Sequence, residues 1–217
     1  MNHPQGFLAI PTASNGRGVL VLHAWWGLND TIKAFCTRLA EAGFTVFAPD
    51  LYHGQVANTI PAAETLGKAL DANFLQASAE IKAAVLFLAE RMGEQAGRAL
   101  AVVAFSLGAY YALDLAAADP NHIRSVVLFY GTGDGNYSNS NASYLGHFAG
   151  EDAFEPQANV DNLEKSLRRA ARPVTFYRYS DTGHWFFEPD RLQAYNPAAA
   201  SLAWERTLAF LQRPLTP

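Results

Sequence analysis

ALAVVAFSLGAY, residues 99–110, joins an apolar run to a segment rich in small residues, with a single serine at the junction. Val102 and Val103 within that run predict a parallel strand buried on both faces. The segment AYYALDLAAA after Leu107 and Gly108 predicts a helix packed close behind it. Ser106 falls on the sharp strand-to-helix turn between the two. Small neighbours there permit strained backbone, and the first N–H groups of the helix favour negative charge developing in front of them. The pentapeptide Ala104-Phe105-Ser106-Leu107-Gly108 matches the nucleophile pattern Gly-x-Ser-x-Gly except for its first residue, an alanine. A serine opening a helix is also an ordinary N-cap, so the motif alone leaves both readings open.

Upstream, the turn SNGRG (14–18) leads into GVLVLH (18–23), a continuous apolar run that predicts a central strand. The loop Ala24-Trp25-Trp26-Gly27-Leu28 follows, with Asn29 and Asp30 as helix-start residues. An amphipathic helix is expected over 31–42, closed by Gly43, and FTVFAPDLYHG (44–54) gives a second buried strand and a proline-containing loop. Strand, helix and strand in that order form a right-handed parallel unit. An edge strand is expected near 7–10. A long helical region runs over 61–92 with a break near 71–74, and a turn over 93–97 re-enters the serine strand.

Downstream, IRSVVLFYG (123–131) predicts another buried strand, and GTGDGNYSNSNAS (131–143), rich in turn formers, a surface loop. A strand at 144–149 ends in Gly150-Glu151-Asp152-Ala153-Phe154-Glu155-Pro156. A helix over 159–171 carries basic residues in its last turn, as its dipole prefers. PVTFYRYS (173–180) is a further strand, ending in Asp181-Thr182-Gly183-His184-Trp185, and a helix over 196–211 closes the chain.

The 217 residues suit one sizeable core, so a single domain over 1–217 is expected. Half the residues are hydrophobic and 17% charged, which excludes general disorder. A net charge of -4 supplies no electrostatic footprint for nucleic acid or anionic membrane. The single cysteine, Cys36, permits no internal disulfide, and a start without a signal-peptide pattern points to a cytoplasmic protein. No apolar span reaches 18 residues. The six histidines are scattered without metal-ligand spacing, so neither a metal nor a cofactor is called for.

Alternating strands and helices predict a parallel sheet covered on both faces, and such sheets bind ligands beyond the carboxyl ends of their strands. Ser106, Asp152 and His184 each follow a predicted strand at that end. Their order along the chain, serine, acid, histidine, is that of the α/β hydrolases. Asp181, three residues before His184, is the rival acid, while His23 and His53 read as structural residues at a strand end and in a loop. Trp25, Tyr52, Tyr130 and Trp185 are candidate walls of a small-molecule pocket.

Over roughly 18–211 the sequence resembles the dienelactone hydrolase family, through LHAWWGLN, APDLYHG, AFSLGAYYALDLA, FYGTG, HFAGEDAFEP and the closing segment from DTGHWFFEPDR onwards. The resemblance implies an α/β-hydrolase fold, a mostly parallel sheet in a minimal single domain without a large cap. It makes Ser106 the nucleophile, Asp152 the orienting acid and His184 the general base, with the Trp25 and Leu107 backbone N–H groups as the oxyanion hole. The best-known members carry a cysteine nucleophile and a glutamate in the loop after the first central strand. Ser106 and Ala24 stand there instead, a consistent pair of changes, since a serine needs a neighbouring base and not a carboxylate partner. Dienelactone-active members also carry an arginine shortly after the histidine, where this chain has Glu188, which counts against an anionic dienelactone substrate. The expected activity is hydrolysis of a carboxylic ester or lactone through an acyl-enzyme. The same triad would also serve a thioester or a small peptide. A non-catalytic binding module of this fold predicts a damaged triad, and no member is missing here.

Overall fold

The computed structural model describes residues 4–93, 97 and 99–214. Its apolar runs are strands: β1 (Gly6–Ala9), β2 (Gly18–Leu22), β3 (Thr45–Pro49), β4 (Leu100–Phe105), β5 (Ile123–Phe129), β6 (Ser143–Ala149) and β7 (Val174–Tyr179). They form one sheet in the order β1-β3-β2-β4-β5-β6-β7. All neighbours are parallel except the edge strand β1, which runs antiparallel to β3. The helices are α1 (Asp30–Glu41), α2 (Ile60–Ala72), α3 (Phe74–Met92), α4 (Leu107–Ala118), α5 (Gln157–Arg169) and α6 (Pro197–Leu211).

Side chains alternate across β2 and divide the core in two. Val19 and Val21 join the cluster under α1 and α6, with Phe35, Phe105, Phe129 and Trp204. Leu20 and Leu22 face α2 to α5, with Ile81, Val85, Leu115 and Leu163. Phe35 of α1 sets its edge against Phe105, Phe129, Phe187 and Trp204, so truncating it to alanine should cost roughly 3–5 kcal/mol. The starts of α1 and α6 follow from their caps: the Asn29 side chain accepts the Ile32 N–H at 3.0 Å, and Asn196 that of Ala199 at 3.1 Å, ahead of Pro197. Gly43, at φ +96°, turns the chain out of α1.

Beneath the far end of the sheet lies a buried polar link. His147 of β6 bonds the Tyr179 hydroxyl at 2.8 Å and the Thr207 hydroxyl of α6 at 3.0 Å. Burial, then the Arg206 charge, pushes its pKa down to about 3, so it acts as a neutral structural group.

The expected break in the long helical region falls at Asn73. Of the predicted turn over 93–97, residues 94–96 lie outside the described residues. The segment expected as a surface loop over 131–143 is only partly so. Tyr137, Ser140 and Ala142 are buried, with the Tyr137 hydroxyl on the Gly133 carbonyl at 2.7 Å and the Ser140 hydroxyl on that of Tyr144 at 2.6 Å. Turn-forming composition reports backbone conformation and says nothing of which side chains fold inward.

Candidate active site

Ser106 leaves β4 at φ 47° and ψ -113°, a strained conformation for a residue with a Cβ. Two glycines make room for it. A Cβ on Gly108 would lie 2.7 Å from the carbonyl oxygens of Leu22 and His23, and one on Gly131 2.3 Å from the carbonyl oxygen of Ser106. Both contacts are with backbone, which cannot give way cheaply. The Ser106 N–H donates to the Phe129 carbonyl at 2.9 Å, fastening the turn to the end of β5.

His184 stands on the loop after β7. Its Nε2 lies 2.9 Å from Ser106 Oγ, and its Nδ1 lies 2.8 and 2.9 Å from the two carboxylate oxygens of Asp152 on the loop after β6. The His184 and Asp152 side chains are 5% and 3% exposed. Asp152 Oδ1 also accepts the N–H groups of Phe154 and Glu155, at 2.9 and 2.8 Å, which fixes the carboxylate. The two loops are stitched by Thr182, whose carbonyl accepts the Glu151 N–H at 3.0 Å. Asp181 sits in the exposed turn at φ 57°, away from this relay. With Nδ1–H donating to Asp152, the histidine presents a lone pair to the serine hydroxyl, the arrangement needed to accept its proton.

Trp25 is held in a turn closed by the Gly27 N–H on the Ala24 carbonyl at 3.1 Å, and Leu107 is the first residue of α4, ahead of the intrahelical hydrogen bonds. The loop carrying Trp25 is fixed by His23. This buried ring bonds the Ala24 carbonyl through Nδ1 at 2.8 Å and accepts the Leu51 N–H on Nε2 at 3.3 Å, and burial lowers its pKa. The Trp25 indole lies over Gly67 of α2, where a Cβ would come within 2.8 Å of its Nε1.

Beside His184 is a cavity of about 520 Å³, walled by Trp26, Phe154, Trp185, Arg191 and Leu192 among others. Of the four aromatic residues expected as pocket walls, Trp185 lines this cavity and Trp25 meets its Phe154 wall edge-on at 6.1 Å. Tyr52 does not reach it: its ring packs on His23 and lines a separate cavity of about 260 Å³ against α2 and α3. Nor is Tyr130 a wall. It is fully buried, its ring 4.9 Å from the His184 imidazole and its hydroxyl donating to Glu188 Oε1 at 2.6 Å. Glu188, which follows the histidine by four residues, is therefore turned inward. Its carboxyl is pushed up to about 8 by burial, with the Tyr130 hydrogen bond, Asp190 and Arg191 as lesser influences.

The end of β5 thus meets all three loops. Phe129 holds Ser106, Tyr130 backs His184, and the Thr132 N–H donates to Glu155, three residues after Asp152, at 2.8 Å. Sequence reasoning missed this role for FYGT, whose signals were its position at a strand end and its place among the segments of the family resemblance. Cys36 is buried in α1 with its thiol pushed up to about 12 by burial, which leaves it unreactive. Among the described residues no cluster of three or more His, Cys, Asp or Glu could hold a metal ion, and no helix is long and apolar enough to cross a membrane.

The sheet order, the strained serine between strand and helix, and the acid and histidine on loops of the same rim define an α/β hydrolase. A family model described as the dienelactone hydrolase family matches residues 5–215, and the chain belongs to that family. It is 31% identical to "Protein usf" of Aquifex pyrophilus, over 98% of this chain and 94% of that one. It is 29% identical to a "Putative carboxymethylenebutenolidase" of Aquifex aeolicus, over 96% and 92% of the two chains. Among solved structures it is similar to a "Putative Dienelactone Hydrolase" from Klebsiella pneumoniae, with a TM-score of 0.82, 27% identity, and coverage of 96% of this chain and 92% of that one.

Proposed function

We propose that the chain hydrolyses carboxylic esters or lactones through an acyl-enzyme on Ser106. The observation that carries this reading is the unbroken hydrogen-bond relay from Ser106 Oγ to His184 Nε2 at 2.9 Å and from His184 Nδ1 to Asp152 at 2.8 Å. As Ser106 Oγ attacks the carbonyl carbon, its proton passes to His184 Nε2, and Asp152 stabilises the imidazolium through Nδ1–H. The carbonyl oxygen, now negative, accepts hydrogen bonds from the Trp25 and Leu107 N–H groups. Collapse breaks the bond to the alkoxy oxygen, which leaves with the proton from Nε2. In a lactone that alcohol stays tethered to the acyl group. Water then gives a proton to Nε2 as it attacks the acyl carbon, and the second collapse returns that proton to Ser106 Oγ and frees the acid.

The cavity beside His184 suits the apolar part of a small substrate. Trp26, Phe154 and Trp185 supply aromatic surface, and Ile60 and Leu192 stand exposed at its rim. Hydrolysis of a panel of p-nitrophenyl esters, lactones and thioesters by wild type and Ser106→Ala tests the proposal. Turnover of an oxygen ester or lactone, lost about a million-fold in the variant, supports it. Equal turnover by the two proteins would remove Ser106 from the chemistry, and a preference for thioesters would change the substrate class while keeping the triad.

A further inference from the structure

We propose that Tyr130 and Glu188 form a buried bracket that positions the His184 imidazole, an inference that rests on reading His184 as the general base of this site. Three rings surround the imidazole: Tyr130 at 4.9 Å, Trp185 at 4.9 Å and Phe154 at 5.2 Å. Phe154 and Trp185 line the open cavity, whereas Tyr130 is fully buried and supports the ring from the protein side. Tyr130 is itself fixed at several points. Its backbone holds φ at 38°, uncommon for a bulky side chain, with its N–H on the His147 carbonyl at 2.8 Å. Its ring meets Phe186 at 5.6 Å, and its hydroxyl is anchored to Glu188 at 2.6 Å. Glu188 comes from the same short segment as His184, its N–H donating to the Trp185 carbonyl at 2.9 Å. One turn therefore carries both the imidazole and the far end of the bracket that holds it.

The chemistry of Glu188 argues that the anchor matters. A buried carboxyl costs folding energy unless its oxygens are satisfied, yet Oε2 has no hydrogen-bond partner and Oε1 has Tyr130. An apolar side chain of similar size would fill the space without that cost, and would leave the Tyr130 hydroxyl unanchored. The charged and titratable groups around Glu188 are Tyr130, just past the end of β5, and Asp190 and Arg191 from its own turn, with Arg38 of α1 and Tyr195 lining a second cavity that Glu188 also borders.

The test compares Tyr130→Phe, Glu188→Gln and Glu188→Leu with wild type by two readouts. One is kcat and KM on p-nitrophenyl acetate. The other is the low-field proton NMR signal of the His184 Nδ1–H bond to Asp152, assigned by its loss in Asp152→Asn. Glutamine still accepts the tyrosine hydroxyl, so Glu188→Gln should keep a sharp signal and a kcat within about threefold of wild type. Tyr130→Phe and Glu188→Leu should broaden or shift the signal and lower kcat by roughly tenfold or more with little change in KM, the mark of a misoriented base. An unchanged signal and kcat in Tyr130→Phe, or a loss in Glu188→Gln as large as in Glu188→Leu, would overturn the bracket. The two conservative variants carry the comparison if Glu188→Leu fails to fold. The reading of the site fails separately: NMR signals that change across the variants as expected, in a protein whose wild type does not hydrolyse the ester, support the bracket and remove the catalytic role.

Discussion

Both carboxylate oxygens of Asp152 lie within hydrogen-bond reach of His184 Nδ1, at 2.8 and 2.9 Å, although 32 residues separate the two in the chain. Asp181, only three residues from the histidine, lies in an exposed turn. Asp152→Asn should therefore lower turnover by roughly ten-thousand-fold with little change in fold, since an amide favours the wrong histidine tautomer. Asp181→Asn should leave turnover within a few-fold of wild type. Steady-state kinetics with a circular dichroism control checks the ranking, and the reverse order would transfer the role to Asp181.

Gly131 is tied to the Ser106 turn by steric necessity, since its missing Cβ would overlap the Ser106 carbonyl oxygen at 2.3 Å. Gly131→Ala should destabilise the fold by about 1–3 kcal/mol, the usual cost of forcing an extra methyl into a packed site. It should also lower kcat by displacing Ser106. Urea denaturation and kinetics on one preparation measure both, and a variant matching wild type in each would show the turn to be more pliant than its geometry implies.

Glu188 gives a signed dependence of stability on pH. Its carboxyl goes from an ordinary 4.5 to about 8 on folding, so between those values the native state holds a proton that the unfolded chain has released. The native state's advantage from this group is thus complete below about pH 4.5, falls as pH rises towards 8, and is then constant. Glu188→Gln cannot lose that proton. Denaturation midpoints should show the variant gaining on wild type from pH 5 to pH 8 by up to a few kcal/mol. A constant difference across that window would mean that Glu188 titrates normally.

The two arginines nearest His184 in the chain, Arg178 and Arg191, are each already paired with a carboxylate. Arg178 is paired with Asp161 at 2.6 Å and Glu164 at 3.4 Å on the α5 side of the sheet, and Arg191 with Asp190 at 2.6 Å while stacked over Trp26. Glu188, being buried, adds no repulsion in the cavity. A charge-assisted contact is worth about ten- to a hundredfold in affinity, so neutral esters or lactones should exceed their carboxylate-bearing analogues in kcat/KM by about tenfold. An anionic substrate that wins, and loses its lead in Arg191→Ala, would show that Arg191 leaves Asp190 to bind it.

The layout of the sheet was legible because its central strands are largely apolar runs set off by turn formers, and the three polar residues of the relay each follow a strand. Their convergence needed only the rule that parallel strands place their carboxyl ends on one rim. Tyr130 and Glu188 were not legible in the same way. A glutamate among Pro189, Asp190 and Arg191 reads as solvated, and only its meeting with a tyrosine 58 positions earlier explains its burial. The direction of the Tyr52 ring was equally hidden: its loop follows a strand at the correct rim, but the ring packs on His23 and borders a separate cavity. The direction of β1 was unreadable, because a four-residue edge strand carries no signal of which way it pairs.

The central claim is that Ser106 is the one activated nucleophile of this chain, and covalent labelling tests it most directly. Intact-mass and peptide-mapping analysis after exposure to a fluorophosphonate should find a single adduct on Ser106, none in Ser106→Ala, and strongly slowed labelling in Asp152→Asn. An adduct on another residue, or an unlabelled wild-type protein that still hydrolyses esters, would contradict the account.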